Sequence, residues 1–245
     1  MIYRIGRKQR IAKKILVRFP EHEIYIEPFF GAGGMFFNKP KVKYNFINDY
    51  SDDVFNLFMI IKNRRDEFVK AFLALPIDQS LFRYWTKNQE KDPIYKALRF
   101  VLISNFSYLG QGNTFALLLR DVKNLSLSKI PKVNELLQNV NISCMDFEKF
   151  LKSIIFDNEI LKAKSFIYAD PPYVNTSNNY GLKWSADDTE RLFIVLRQLN
   201  IKFAISETES ELIYSLAERF NLNVIEIAEV KSLATVRKEL LITNY

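Results

Sequence analysis

EIYIEPFFGAGGMFF, residues 23–37, runs a short alternating segment into a cluster of glycines. Positions 23–28 alternate and are rich in β-branched and aromatic residues, which predicts a strand. Gly31, Gly33 and Gly34 follow, three of only seven glycines in a chain of 245 residues. A strand running into a glycine turn is how Rossmann-like folds bring backbone close to a nucleotide, because a Cβ would block the approach. The pattern is G-x-G-G rather than the full dinucleotide fingerprint, and glycine-rich turns often serve only the turn. A second strand, in YNFINDY (44–50), adds weight. Its end carries Asp49, 18 residues beyond Gly31, where an acid in such folds accepts hydrogen bonds from ribose hydroxyls. Together the two stretches predict a nucleoside-binding α/β protein.

Outward from there the chain keeps a strand-helix rhythm with one interruption. Val54, Phe58, Ile61, Phe68, Phe72 and Leu75 recur at three- and four-residue intervals, predicting one helix over 53–75 closed by Pro76. Residues 77–139 read as helical and irregular, with SNFSYLGQGNTF (104–115) as the obvious loop, and are expected to be an inserted recognition region. Strands are predicted at 140–144, 165–169, 202–206, 222–230 and 239–245, with helices between most of them. The expected division is a catalytic domain of 1–60 and 140–245 and an insertion of 61–139.

Charge is concentrated at the start. Arg4, Arg7, Lys8, Arg10, Lys13, Lys14 and Arg18 precede the first acid, and the other 28 basic residues balance the 28 acidic ones, so the net charge of +7 sits in one segment. Ile11, Ile15, Leu16 and Phe19 fall at helical spacing in QRIAKKILVRF (9–19), giving an amphipathic helix with one docked and one basic face. A solvated surface or an organelle transit peptide would also look like this. The segment enters the first strand without a linker, so a phosphate-facing patch is the expectation. Cys144 is the single cysteine and His22 the single histidine, which argues against a disulfide framework, a Cys/His zinc site or a histidine-based catalytic pair; no metal is expected. No apolar run approaches the ~20 residues that span a bilayer, and no signal-peptide core is visible. A cytoplasmic protein without a membrane partner is expected.

One further stretch carries chemistry. In SFIYADPPYVNTSNNYG (165–181) an apolar strand ends on Asp170, and Pro171 and Pro172 fix the next two φ angles before Tyr173. IEPFFGAGGMFF, INDYSDD, CMDFEKF, YADPPY and ELLITNY occur in the order seen in DNA adenine N6-methyltransferases of the Dam type, the D12 class, which the chain resembles over nearly its whole length. The tetrapeptide D-P-P-Y alone is moderately specific, since related ones occur in glutamine and RNA methyltransferases; E-P-F-x-G-x-G upstream and an intervening insertion make the match strong. The resemblance implies a Rossmann-like, S-adenosylmethionine-dependent methyltransferase sheet, mostly parallel with one antiparallel strand, and a mainly helical target-recognition insertion. It implies double-stranded DNA as partner, acted on by a monomer, and is compatible with a restriction endonuclease as a second partner.

Exocyclic N6 of adenine is a poor nucleophile because its lone pair is delocalised into the ring. By the resemblance, Asp170 and the carbonyl of Pro171 each accept one N6 hydrogen and aim the lone pair at the methyl group. Pro171 and Pro172 hold these acceptors, and Tyr173 stacks on a base flipped from the duplex. Carried over to the cofactor are Arg4 and Lys8 of the N-terminal motif, Glu27, Pro28, Phe29, Gly31 and Gly33 at the methionine part, Asp49 at the ribose, Asp146 and Phe147 beside the adenine, and Asp170 at both ligands. The family's N-terminal motif is an aromatic, two glycines and a lysine; RIGRK (4–8) keeps Gly6 and Lys8 but has Arg4 for the aromatic and Arg7 for a glycine. The family's Arg- and Asn-bearing recognition hairpin is replaced by FSYLGQGNTF (106–115), so the target sequence is not inherited. Candidate DNA contacts are Lys8, Arg10, Lys13, Lys14, Tyr108, Gln111 and Asn113. Two other readings stay open: an RNA or protein-glutamine methyltransferase, and a catalytically silent DNA-binding relative.

Overall fold

The computed structural model describes residues 8, 11–107, 114–116, 121–173, 184–231 and 236–245. Seven strands form one sheet: β1 (Ile24–Glu27), β2 (Tyr44–Asn48), β3 (Val140–Ser143), β4 (Ser165–Ala169), β5 (Lys202–Thr208), β6 (Asn223–Lys231) and β7 (Val236–Thr243). Their order is β3-β2-β1-β4-β5-β7-β6. The strands from β3 to β5 pair in parallel, and β7 lies antiparallel to both β5 and β6. β1 and β4 are buried at every position. Central parallel strands covered on both faces have no solvated side to alternate towards.

Alternation instead divides the core between two faces. Tyr25, Phe166, Tyr168, Ala204 and Leu241 point to one, where α1 (Ala12–Leu16), α2 (Asp52–Asn63), α3 (Arg65–Ala74), α4 (Gln79–Lys87), α5 (Pro93–Phe106), α6 (Val122–Leu127) and α7 (Ile130–Leu137) collect. Ile24, Ile26, Ile167, Ala169, Phe203 and Ile205 point to the other, against α8 (Phe147–Ser153), α9 (Glu159–Ala163), α10 (Ala186–Leu199) and α11 (Glu211–Arg219). Local signals fix several helix ends. Asp92 caps α5 through the amides of Ile94 and Tyr95, with Pro93 at the first turn. Ser185 and Asp188 form a capping box on α10, and Asn200 ends that helix at φ 52°.

Three expectations need adjustment. The helix over 53–75 is two helices, α2 and α3, because Arg64 leaves helical geometry at φ −134°, ψ 37°. The bend lets Phe58 and Ile61 of one piece and Phe68 and Phe72 of the other all reach the same core. Among the described residues of the amphipathic segment at 9–19, Ala12–Leu16 is helical. The loop expected over 104–115 starts later, since α5 continues to Phe106. Among the described residues no helix is long and apolar enough to cross a membrane.

Candidate active site at the carboxyl edge of the sheet

Ligands in open α/β sheets bind beyond the carboxyl ends of the strands where the strand order reverses. Here that point lies between β1 and β4. Four acids from the sequence reading stand at this edge: Glu27 ends β1, and Asp49, Asp146 and Asp170 follow β2, β3 and β4.

Asn48 and Asp49 hold the glycine turn in place. The Asn48 amide donates to the carbonyls of Pro28 (3.1 Å) and Met145 (2.9 Å), tying the loops after β1 and β3 together. Asp49 accepts from the Gly31 amide at 2.6 Å on one oxygen and from the Ser51 amide at 2.8 Å on the other. Gly31 and Gly33 have φ of 54° and 70°. A Cβ on Gly33 would fall 2.3 Å from the Phe37 ring, whereas one on Gly31 would meet nothing within 4 Å. The turn therefore presents bare backbone to open space at Gly31 alone of the two.

Next to it, Tyr50, Met145, Asp146, Glu148, Lys149, Lys152 and Arg191 line a cleft of about 720 Å³. Phe29, Phe147 and Trp184 pack together beside it, at 5.4 to 5.6 Å between ring centroids. Asp146 caps α8 through the amides of Glu148 and Lys149 and is ion-paired with Arg191 at 3.1 Å. The Arg191 guanidinium lies 4.5 Å from the centre of the Phe147 ring.

Toward β4 the edge is rich in buried acid. Glu27 is 2% exposed and accepts from the Tyr25 hydroxyl at 2.8 Å; burial pushes its carboxyl up to about 8. Lys39, over the Tyr25 ring at 4.2 Å, is pushed down to about 8 by its own burial. Burial raises Asp170 to about 6; Lys8, 3.2 Å away, works against that shift, and Glu239 adds to it. Asp170 keeps 23% of its side chain exposed. Burial opposes the charge on Lys8, but Asp170 and Glu239 outweigh it and hold the ammonium above its usual range. Tyr173 donates its hydroxyl to Glu239 at 2.8 Å.

The edge thus gathers Lys8, Glu27, Pro28, Phe29, Gly31, Gly33, Asp49, Asp146, Phe147 and the Asp170–Tyr173 stretch. Lys8 is 5% exposed and its ammonium lies against the carboxylates of Asp170 and Glu239, inside the site and not on an open surface. Lys13 and Lys14 lie apart on the exposed face of α1, and Lys14 reaches the carbonyl of Ile227 at 3.5 Å. Arg4, Arg10, Tyr108, Gln111 and Asn113 lie outside the described residues. Sequence reasoning gave no role to Asn48, Tyr50, Met145, Trp184, Arg191 or Glu239. Tyr50 directly follows Asp49, a position from which it could have been found; Glu239 is 231 positions from Lys8, and no spacing signals such a pair.

The family model for D12 class N6 adenine-specific DNA methyltransferases matches residues 5–233. The type II methyltransferase M.MjaIII of Methanocaldococcus jannaschii is 27% identical, over 98% of this chain and 96% of that protein. The DNA adenine methylase of Escherichia coli K12 is 25% identical, over 91% of this chain and 85% of that protein. Among solved structures, the N-terminal domain of human METTL16 aligns with 100% of this chain and 72% of its own at 9% identity and a TM-score of 0.45.

Proposed function

The chain belongs to the D12 class of N6 adenine-specific DNA methyltransferases, and from that premise we propose which of its residues carry the reaction. The enzyme methylates adenine in DNA with S-adenosylmethionine as methyl donor. The observation that carries the residue assignment is the placement of a buried but reachable acid, Asp170, beside an open glycine turn at the switch point of the sheet.

The cleft suits this cofactor on its own chemistry. Gly31 leaves room for a ligand against the backbone, and Glu27 and Asp170 are carboxyls that burial holds toward the neutral form, an environment that a cationic ligand relieves. Asp49 would receive the ribose hydroxyls while its present bonds shape the turn, and Tyr50, Met145 and Phe147 would flank the adenine. When bound, the cofactor supplies a methyl group already activated on a sulfonium, so the protein needs no strong base.

Asp170 and the Pro171 carbonyl accept the two hydrogens of N6, which turns the lone pair out of the ring plane and toward the methyl group. The prolines keep both acceptors from drifting, since each fixes φ. Tyr173 supports the extruded base by stacking. The helices of 61–139 read the target, and the exposed lysines of α1 hold the phosphate backbone.

Methyl transfer from labelled cofactor to duplex DNA, RNA and protein, followed by nucleoside analysis, tests the reading. N6-methyladenine should appear in duplex DNA alone. Asp170→Ala should abolish its formation while leaving DNA binding in place. Methylation at the wild-type rate by that variant would remove Asp170 from the mechanism.

A further inference from the structure

Glu239 lies on β7, between β5 and β6, and the chemistry above gives it no task. Its side chain is 4% exposed. One oxygen, Oε1, accepts from both the Tyr173 hydroxyl and the Lys8 ammonium. Lys8 in turn lies 3.2 Å from Oδ1 of Asp170 and 4.5 Å from the centre of the Tyr173 ring. Asp170, Lys8, Glu239 and Tyr173 therefore form a chain of contacts that begins and ends within one tetrapeptide. A buried carboxylate is costly unless paired, and here the pairing is made with the groups that flank the reacting amine.

We infer that Glu239 is a positioning residue for methyl transfer. Through the hydroxyl it fixes the plane of the Tyr173 ring, and through Lys8 it sets the charge beside Asp170. This rests on the reading that Asp170 accepts the N6 hydrogens and Tyr173 stacks on the base. The ring is held at its backbone end by the two prolines and at its far end by Glu239, so a base stacking on it meets a fixed surface. Tyr173→Phe is consequently not a silent change, since it removes the hydrogen bond to Glu239.

A role limited to holding β7 in the sheet would leave the charge at Asp170 untouched, and pH separates the two cases. The charged and titratable groups facing Asp170 are Lys8, Glu239 on β7, Glu27 and Tyr25 on β1, Tyr168 on β4 and Glu207 on β5. Asp170 acts ionised, so activity falls as pH drops through its pKa. Glu239→Gln removes a negative neighbour and should move that acid limb to lower pH. Lys8→Met removes the positive neighbour and should move it to higher pH.

The experiment uses the full chain at saturating S-adenosylmethionine and duplex DNA, in single turnovers over a pH series, with thermal melts to check folding. Glu239→Gln should stay within about threefold of the wild-type plateau with its limb displaced downward, and Glu239→Leu should lose at least about tenfold. In the Tyr173→Phe background Glu239→Gln should cost less plateau rate than in wild type, because the hydroxyl it would have held is gone. Unshifted limbs in Glu239→Gln and Lys8→Met, with Asp170→Ala inactive, would overturn the role of Glu239 alone. An active Asp170→Ala would overturn the mechanism beneath it.

Discussion

Gly31 and Gly33 share a left-handed backbone, yet each serves a different neighbour. At Gly33 the place of a Cβ is filled by the Phe37 and Phe30 rings, so Gly33→Ala meets both backbone strain and overpacking and should cost about 2 kcal/mol of stability or more. At Gly31 only the backbone term applies, about 1 kcal/mol, but the added methyl projects into the open space assigned to the cofactor. Gly31→Ala should therefore melt close to wild type and bind S-adenosylmethionine at least about tenfold more weakly, a loss of ~1.4 kcal/mol. Calorimetry and thermal melts measure the two effects separately. The reverse ranking, with Gly33→Ala impairing binding in a stable protein, would place the cofactor elsewhere.

At the scale of elements, α1 docks Ala12 and Ile15 in the core and leaves Lys13 and Lys14 in solvent. Neutralising both lysines together with Arg10 should weaken binding to all duplexes alike and reduce the salt slope by up to about one unit per lost phosphate contact. An unchanged slope would leave those charges to solvent; loss on one sequence only would make them base readers. Elements of this kind were legible to different depths. The strand at 165–169 was read to its last residue, because a fully buried strand bounded by Lys164 and an Asp-Pro-Pro turn has unambiguous ends. The break at Arg64 was not legible: there is no glycine or proline there, and the bend follows from where four phenylalanine and isoleucine side chains must point. Lys8, Asp170 and Tyr173 were singled out because they lie in local motifs. Glu239, which joins them, was seen only as part of a terminal strand, since a contact made through the sheet leaves no periodic trace.

Across the whole molecule, the buried acids make stability fall with pH. Glu27 is raised to about 8 and Asp170 to about 6, so the native state keeps protons that the unfolded chain has already released. Their contribution is complete below the unfolded values near 4 and is lost as pH rises through 6 and 8. Lys39, lowered to about 8, acts in the opposite sense above that point, and His22, which burial holds below its usual range, acts against the acids below its unfolded value. The melting temperature of the ligand-free enzyme should thus decline from about pH 5 to about pH 8, and Glu27→Gln should flatten the decline. A level profile in the wild-type protein would refute the assignment of Glu27 as a neutral acid. The order of the sheet also has a consequence for synthesis. β7 is made after β6 yet lies between β6 and β5. Until it leaves the ribosome, β6 has no neighbour and β5 keeps an open hydrogen-bonding edge, the kind of surface that invites mispairing. The same stretch delivers Glu239 to a lysine made 231 residues earlier. A nascent chain therefore exposes an open sheet edge and lacks the Lys8–Glu239 pair proposed for the methylation centre over the same interval, and both end when one strand slides home.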